Sequence, residues 1–393
     1  MRRFVKRMTE AFRKGDLVLL LLCVVATAFG CLIIASATTY TDYGSLRYVG
    51  IQLIAALAGI FCYLLISSVD TDFFSEHRRG LVLFNFILLA LLIPFGVTRN
   101  GNRSWLDFPF LPFNIQPAEI CKITFILILA SVMASHQNNL SAPLSVGHML
   151  THLLLLFVVN YLISRDMGVS LIFAFIFVGM TLSGGVGMFW FISAAAAAVL
   201  AFPILWNVVL QEHQKERIAV LFDPSLDPYG TGAMYHSIRA MRSLTGGGLI
   251  GQGLFNGNRT QAGALFAQHT DYIFAVIGEE MGFIGCVAVL ALMAAIVIRC
   301  VWVGIRSHDF LRRLVCFGAA SALIFQVFIN VGMCIGVAPV IGLTLPFISY
   351  GGSSTITLYA MLGLVSGVYA RPEPTSQERY IRPPLQYHGG YDL

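Results

Sequence analysis

Residues 17–37 read LVLLLLCVVATAFGCLIIASA, an uninterrupted apolar run without a charged side chain. A segment of about 20 apolar residues is long enough to cross the hydrocarbon core of a bilayer as a helix. Because no water reaches that core, a helix that satisfies its own backbone hydrogen bonds is the structure expected there. The run therefore predicts a first transmembrane helix.

Further runs of the same kind follow along the chain. They are predicted at 49–68, 80–96, 118–134, 147–163, 167–185, 187–209, 272–303, 314–336 and 353–369. Ser164, Arg165 and Asp166 divide the stretch 147–185 in two, because they would be costly at a bilayer midplane. Of all residues, 57% are hydrophobic and 11% are charged, whereas ordinary domains carry about 25% charged residues. The sequence predicts an all-α polytopic membrane protein with about ten transmembrane helices.

Positive charge is distributed unevenly among the segments that connect these runs. Short cytosolic connections of membrane proteins are enriched in Lys and Arg. With a cytosolic N-terminus, the basic N-terminal segment, the pairs 78–79 and 312–313, and the chain after residue 370 all fall on the cytosolic side. The short connections on the other side contain only Arg47, Arg99, Arg103 and Arg165. This distribution predicts that both termini are cytosolic and that the long segment 210–271 is extracellular.

Three parts are predicted along the chain. Residues 1–15 place basic side chains among Phe4, Met8 and Phe12 at helical spacing, which is typical of an interfacial helix; a plain positive anchor for the first span fits equally well. Residues 16–370 form the ten-helix membrane domain. Residues 371–393 are rich in proline and poor in apolar side chains, so a disordered cytosolic tail is expected.

Ionisable side chains cluster on the predicted extracellular side. They are candidates for function, because an unpaired charge in or beside a membrane span is costly. The candidates are Arg103, Glu119, Lys122, Asp166, His269, Asp271, Glu279 and Glu280. Structural alternatives remain open: Glu119 and Lys122 share a helix face and could neutralise each other. Asp166 and Asp271 could cap the helices that follow them.

Three further features of this side are unusual. Residues 245–253 read TGGGLIGQG, a run that could approach a ligand closely or could be a flexible loop. Residues 336–352 include Ser349 and Tyr350 and are too apolar for an exposed loop, so a segment that folds back into the bundle is expected. The run 272–303 exceeds the bilayer core, so its helix must tilt, kink or project, with its glycines allowing a bend.

Several classes of chemistry find no support in the sequence. It contains no P-loop, no GxSxG, no HExxH, no dinucleotide fingerprint and no His/Cys cluster with metal spacing. The eight cysteines lie inside apolar runs and none forms a CxxC pair. The net charge of +5 is mild and gives no indication of nucleic-acid binding. Hydrolysis of ATP by this chain is therefore not expected.

Four separated motifs carry a resemblance to a known family. HTDYIFAVIGEEMG at 269–282 and GLTLPFISYGGSS at 342–354 are the most specific, and QPAEICK at 116–122 and RSWL at 103–106 accompany them. Together they resemble the SEDS family (shape, elongation, division and sporulation), the bacterial RodA/FtsW/SpoVE group. The sequence departs from the family patterns QPDLGT and YQxxQS, which are replaced by SRDMGV from residue 164 and YHSIRA from residue 235. It also lacks the family's Pro-Glu ahead of His269.

The resemblance implies a peptidoglycan glycosyltransferase that polymerises lipid II, a disaccharide-peptide on undecaprenyl diphosphate. It implies a class B penicillin-binding protein as partner and a site at the outer face of the bacterial cytoplasmic membrane. We expect Asp271, in the strongest motif, to be the general base of an inverting transfer, and Arg103 and Lys122 to hold the donor diphosphate. The remaining substrate-binding candidates are Glu119, Asp166, His269, Glu279, Glu280, Ser349 and Tyr350. No cofactor is certain, and a divalent cation remains open.

Two other functional classes remain as alternatives. A lipid II flippase needs a polar path and matching sites on both faces, whereas the ionisable candidates crowd one side of this chain. A non-catalytic scaffold would not need the retained Asp271. The sequence does not distinguish a role in cell elongation, division or sporulation.

Overall fold

The structure is a computed structural model that describes residues 12–41, 44–99, 102–109, 111–227, 231–232 and 234–371. Most of the predicted N-terminal segment 1–15 and nearly all of the predicted tail 371–393 lie outside the described residues. The amphipathic helix and the disordered tail therefore stay predictions.

Within the described ranges, ten helices are long and apolar enough to cross a membrane. The helices of the structure are α1 Leu17–Ala37, α2 Gly44–Ser67, α3 Thr71–Glu76, α4 Arg78–Ala90, α5 Leu92–Phe95, α6 Pro117–Ser135, α7 Pro143–Ser164, α8 Met167–Gly184, α9 Met188–Ile204, α10 Glu212–Phe222, α11 Tyr235–Gly246, α12 Asn258–Gln261, α13 Ile273–Arg306, α14 Phe310–Cys334 and α15 Gly352–Ala370. A π-helical turn, Leu205–Val209, extends α9, and a 3₁₀ turn, Pro224–Leu226, follows α10. Strands β1 Gly96–Arg99 and β2 Asn102–Leu106 form an antiparallel hairpin. The predicted all-α fold and its spans are confirmed.

The spans alternate in direction, so the bundle has two ends. We call the loop end the one formed by the described residues of 96–116, 165–166, 205–272 and 335–351. We call the opposite one the terminal end. It is formed by residues 68–77, 136–142, 185–187 and 307–309 together with the amino end of α1 and the carboxyl end of α15.

Helices α2 and α15 pack in parallel along their whole length. Small residues bring the two backbones together, as is common between membrane helices. A Cβ atom at Gly363 would lie 2.7 Å from the carbonyl oxygen of Tyr63, and one at Gly59 would lie 2.7 Å from the ring of Tyr359. The second helix of the chain is thus fitted against the last.

Residues 335–351 fold back into the loop end of the bundle, as the sequence predicts. Leu345, Phe347 and Ile348 are buried. Gly30, inside α1, lets this segment approach, since a Cβ there would lie 2.7 Å from the carbonyl oxygen of Ile348. Gln52 of α2 holds the segment by donating to the carbonyl of Ser349 (3.3 Å) and accepting from the amide of Gly351 (3.1 Å). We call residues 335–351 the re-entrant segment.

Helix α13 is broken at Gly282, whose φ of 66° and ψ of −164° are non-helical. This confirms the expected bend. A break frees backbone groups that must find other partners inside a membrane protein. The amides of Phe283 and Ile284 donate to the carbonyls of Gly248 and Leu249 at 2.9 and 3.2 Å. The glycine run therefore satisfies one side of the break.

The same run also satisfies the carbonyls before the break. The amides of Gln252 and Gly253 donate to the carbonyls of Glu279 and Glu280 at 3.0 and 2.9 Å. A Cβ at Gly251 would collide with the carbonyl of Glu280. The close approach that the glycines permit is thus made to the chain's own helix, and the alternative of a freely flexible loop is wrong for this stretch.

Candidate active site

Asp271 lies immediately before α13, at the loop end. The helix begins at Ile273 with Tyr272 as its N-cap residue and has no side-chain cap, so the expectation that Asp271 caps this helix is wrong. Its backbone is held instead: the side-chain amide of Asn330 donates to the carbonyls of Asp271 (2.8 Å) and Leu343 (2.7 Å). The carboxylate is therefore positioned by its neighbours while its oxygens are not engaged in capping.

The re-entrant segment passes directly beside the Asp271 carboxylate. Gly342 has a φ of +69°, and a Cβ there would lie 3.6 Å from Oδ2 of Asp271. A side chain at this position would be strained by the positive φ, and its Cβ would already be in van der Waals contact with the carboxylate. Glycine thus gives the segment its turn and leaves space in front of the acid.

Burial raises the pKa of Asp271 to about 6, and the negative charge of Asp166 acts in the same direction. An adjacent hydrogen bond from Thr270 opposes the shift. A carboxylate with this pKa is still ionised at neutral pH and is a stronger base than a solvated one. This is the protonation behaviour that a general base requires.

Asp166 caps α8 by accepting from the amide of Val169 at 3.2 Å, as one reading of the sequence predicted. Its second carboxylate oxygen accepts from Oγ of Ser104 (3.2 Å) and from the side-chain amide of Gln116 (3.4 Å). Burial raises the pKa of Asp166, and these hydrogen bonds lower it in part. Asp166 thus joins the hairpin, the start of α6 and the start of α8.

Two backbone contacts complete this junction. The amide of Gln116 donates to Oγ of Ser353 at the start of α15 (3.1 Å). A Cβ at Gly168 would lie 2.7 Å from the carbonyl of Ile341 in the re-entrant segment. Asp166 and Asp271 therefore both lie beside residues 341–343 of the re-entrant segment.

Glu119 and Lys122 form an ion pair inside the bundle, with Nζ 2.8 Å from Oε1 and both side chains nearly fully buried. Thr357 of α15 donates to the other Glu119 oxygen at 3.1 Å. The predicted mutual neutralisation is confirmed. The Lys122 ammonium nevertheless has no well-aligned hydrogen bond to the described residues, so donors remain available beside the pair.

Three aromatic rings enclose the segment that precedes Asp271. The ring of Tyr48 lies 5.0 Å from that of His269 and 5.2 Å from that of Tyr350, measured between centroids. The amide of Tyr350 donates to the carbonyl of His269 (2.9 Å), and Oγ of Ser349 donates to the carbonyl of Thr270 (2.6 Å). Burial lowers the pKa of His269. These residues fasten residues 269–271 to the re-entrant segment.

The remaining predicted residues contact other parts of the loop end. Arg103 donates to the carbonyl of Gly96 within the hairpin (3.2 Å), and within the described part of the chain it forms no ion pair with Asp166 or Asp271. Glu279 is fully buried. It accepts from the amides of Arg259 (2.7 Å) and Thr260 (3.1 Å) and from the Thr260 hydroxyl, so it anchors α12.

Glu280 faces α1 and α12. Its Oε1 accepts from Ser36 (2.6 Å) and from Gln261 (3.0 Å), whereas Oε2 is buried without a hydrogen bond to any described residue. The contacts of Glu279 and Glu280 are thus made to the chain itself, and a role for either in substrate binding stays a prediction.

Some residues of the site were not singled out from the sequence. Ser104 and Gln116 stand inside the quoted motifs, but only the structure shows that both bind Asp166. Asn330 is an amide within an apolar run, a signal that could have marked it. Arg217 of α10 donates to the carbonyl of Val340 at 2.7 Å, which places a cation beside the re-entrant segment.

A metal centre is not evident within the ranges that the structure describes. They contain no group of three or more His, Cys, Asp or Glu side chains placed to hold an ion. A divalent cation therefore stays an open expectation from the resemblance.

Comparison of the sequence with known proteins identifies a family and several relatives that resemble this chain. A family model described as the FtsW/RodA/SpoVE cell cycle protein matches residues 16–372. The peptidoglycan glycosyltransferase MrdB of Escherichia coli K12 is 32% identical over 367 residues, covering 92% of this chain and 95% of the relative. The probable peptidoglycan glycosyltransferase FtsW of Geobacter metallireducens is 31% identical over 374 residues, covering 93% and 97%.

Solved structures give the same result. A peptidoglycan synthase complex described as coordinating polymerization and crosslinking contains a chain with a TM-score of 0.76 and 27% identity, covering 90% of this chain and 97% of that one. The rod shape determining protein RodA of Thermus thermophilus matches with a TM-score of 0.65 and 25% identity, covering 90% and 96%.

Proposed function

The chain belongs to the FtsW/RodA/SpoVE (SEDS) family and is a multi-pass membrane peptidoglycan glycosyltransferase, and from that premise we propose that it polymerises lipid II by an inverting reaction with Asp271 as the general base. The observation that carries the proposal is the state of Asp271. It is a carboxylate at the loop end with a pKa raised to about 6 and with no salt bridge to the described residues. Open space beside Gly342 lies in front of it.

The reaction follows from this placement. The 4-hydroxyl of the acceptor sugar attacks the anomeric carbon of the lipid-linked donor and gives its proton to the Asp271 carboxylate. The bond from that carbon to the diphosphate oxygen breaks, and undecaprenyl diphosphate leaves with the electron pair. A single displacement converts the α-linked donor into a β linkage. One carboxylate suffices, because a diphosphate leaves without strong acid assistance.

The leaving diphosphate needs cationic partners near the base. Lys122 retains unaligned donors beside Glu119, and Arg217 is held at the re-entrant segment two residues from Gly342. Arg103 lies on the hairpin and faces Gly96. We therefore assign the diphosphate to Lys122 and Arg103, as expected from the sequence, together with Arg217.

The active site lies at the outer face of the cytoplasmic membrane in this proposal. The supporting argument is charge: the terminal end carries Arg78, Arg79, Arg306, Arg312 and Arg313, and cytosolic connections are rich in such residues. The similar peptidoglycan synthase complex coordinates polymerization with crosslinking. We propose accordingly that a class B penicillin-binding protein, a transpeptidase, is the partner of this chain.

The test is polymerisation of purified lipid II by the purified full-length chain, with and without a class B penicillin-binding protein. We expect glycan strands with β linkages, formed faster when the partner is present. Detergent-solubilised substrate removes any need for transport, so a flippase would give no polymer. Strands with retained α linkages would exclude the single displacement, and absence of polymer with every partner tried would exclude the polymerase.

A further inference from the structure

A cavity lined mainly by arginine and histidine side chains lies at the terminal end, remote from Asp271. It has a volume of about 410 Å³ and is lined by Arg78, Arg79, Val82, His148 and His152. Arg78 and Arg79 open α4, whereas the two histidines lie one turn apart on the same face of α7. None of these residues takes part in the polymerase site.

No ion pair neutralises the positive charge of this cavity in the described part of the chain; the nearest acid in the sequence is Glu76, two residues before Arg78. Within the described ranges, neither Arg78 nor Arg79 forms a salt bridge. Helix α4 begins after His77 without a side-chain cap, and its first turn contains no acidic residue. The amino end of a helix carries partial positive charge and favours anions. Two arginines there add further positive charge. An anion bound in the cavity would therefore offset the charge of the arginines and of the helix end.

Histidines extend the same wall. The rings of His148 and His152 lie 5.0 Å apart, and that of His136, at the end of α6, lies 5.2 Å from His148. Nδ1 of His152 is 3.0 Å from the carbonyl of His148, and Nδ1 of His136 is 2.9 Å from that of Val132. A carbonyl can only accept, which assigns the Nδ1 atoms of His152 and His136 as donors, so the backbone holds these two rings in place.

The helices that line the cavity also expose apolar side chains. Leu83 on α4 and Leu144 on α7 are 61% and 88% exposed, and both belong to membrane-spanning segments. A narrow apolar cleft between α4, α6 and α7 shares Val82 and His152 with the cavity and continues past Phe86 and Leu155. A molecule with a phosphate head and hydrocarbon chains matches this combination better than a soluble anion does.

We propose that this cavity binds the phosphate headgroup of an anionic phospholipid, with an acyl chain lying along the exposed apolar surface of α4 and α7. Basic pockets between transmembrane helices are suited to such headgroups. The bound lipid places a negative charge against the arginine pair and joins α4 to α7, two helices at the margin of the bundle.

The experiment measures lipid binding to the purified full-length chain by native mass spectrometry in neutral detergent. Dioleoylphosphatidylglycerol is titrated against dioleoylphosphatidylcholine as the uncharged control. We expect the anionic lipid to bind more tightly. The variant R78Q/R79Q should lose about tenfold or more in affinity for phosphatidylglycerol, since each basic side chain near a membrane surface contributes about 1 kcal/mol. H148Q/H152Q should weaken the same binding without removing either arginine.

The matched control is R306Q, because Arg306 is an exposed arginine at the same end that stacks on Trp302 and does not line the cavity. It should leave the affinity nearly unchanged. An equal loss in R306Q would show diffuse surface attraction and overturn the site, as would equal affinity for the two lipids. Inorganic phosphate is the third arm: full displacement of the lipid by millimolar phosphate would assign the cavity to a soluble anion. If R78Q/R79Q does not fold, unchanged binding by H148Q/H152Q overturns the proposal.

Discussion

The two ends of the bundle use the same acidic residue types in opposite ways. At the terminal end, Asp16 pairs with Arg299 at 2.8 Å, and Asp70 lies within 3.4 Å of Arg312 and 3.2 Å of Arg371. At the loop end, the carboxylates of Asp166 and Asp271 have no such partner within the described ranges. Arginines neutralise Asp16 and Asp70, whereas Asp166 meets only hydrogen-bond donors and Asp271 has open space beside Gly342.

The difference shows how neighbouring charges change the pKa of a buried carboxylate. Burial raises the pKa of Asp72 at the terminal end, but the nearby Arg312 opposes the shift. Burial also raises the pKa of Asp271, and there the neighbouring charge of Asp166 adds to the shift. A carboxylate with a raised pKa and open space is suited to take a proton from a ligand. The comparison predicts that changes at the loop end affect rate and changes at the terminal end affect stability.

The largest expected effect is on rate, in the variant Asp271→Asn. Asparagine keeps the shape of the side chain but cannot accept the hydroxyl proton, so polymerisation should fall about 10²-fold or more. Because no ion pair is lost and a buried negative charge is removed, the melting temperature should equal or exceed that of the wild type. Lipid II polymerisation and thermal unfolding measured on the same preparation check both halves. A near wild-type rate in Asp271→Asn would remove the assignment of the base.

Arg299→Met tests the opposite half of the comparison. Removal of the arginine leaves Asp16, which is almost completely buried, without its counter-ion, and a stranded buried charge is strongly destabilising. Breaking a buried ion pair costs about 3–5 kcal/mol. Because Arg299 itself is partly exposed, we expect a smaller loss of about 2–3 kcal/mol in unfolding free energy. The rate per folded molecule should not change. A variant that is stable but slow would contradict the division between the two ends.

The Lys122–Glu119 pair lies between the two cases and can be separated by a double substitution. Lys122→Met should lower the affinity for lipid II by about 1–3 kcal/mol, the scale of a charge-assisted hydrogen bond. It should also lower stability, because Glu119 is left buried and unpaired. Adding Glu119→Gln removes that stranded charge, so stability should return while affinity should not. Recovery of both stability and lipid II affinity in the double variant would show that the pair has only a structural role.

The smallest effect concerns pH. Polymerisation should decline below about pH 6, close to tenfold per unit, as Asp271 becomes protonated. Stability should change with pH in the opposite direction to the rate. Because the carboxyl pKa of Asp271 is raised, the folded state binds more protons than the unfolded state just below pH 6. Ionisation of Asp271 therefore lowers stability as the pH rises through 6. Asp166→Asn removes a neighbouring negative charge and should move the acid limb of the pH–rate profile to lower pH. An unmoved limb would mean that Asp166 does not act on Asp271.

Local patterns in the sequence predicted the features that depend on neighbouring residues. Hydropathy fixed the spans because each helix meets the bilayer by itself. The spacing of Glu119 and Lys122 predicted their pairing, and the position of Asp166 predicted its cap. The re-entrant segment was predicted because residues 336–352 are too apolar for an exposed loop.

Features that join distant segments were not predictable in this way. No local signal shows that Glu279 binds Thr260, that the glycine run completes the break at Gly282, or that Asp16 meets Arg299. The cap expected from Asp271 was wrong because α13 starts two residues later, with the acid outside the helix. Such contacts are decided by packing of the complete bundle.

The contacts of Asp16, just before α1, with residues late in the chain have a consequence for biosynthesis. Asp16 pairs with Arg299, and its backbone amide donates to Ser366, 350 residues further along the chain. Arg299, the counter-ion of the Asp16 carboxylate, follows it by 283 residues, so at about 5–20 residues per second it is made roughly 14–57 s later. During that interval the only cations close to Asp16 in the sequence are Arg13 and Lys14, and the buried ion pair of the complete bundle is missing. Pulse-chase labelling of chains ended before residue 299 should show rapid proteolysis, slowed by Asp16→Asn, and equal lifetimes for the two would show that the quality-control machinery does not read this acid.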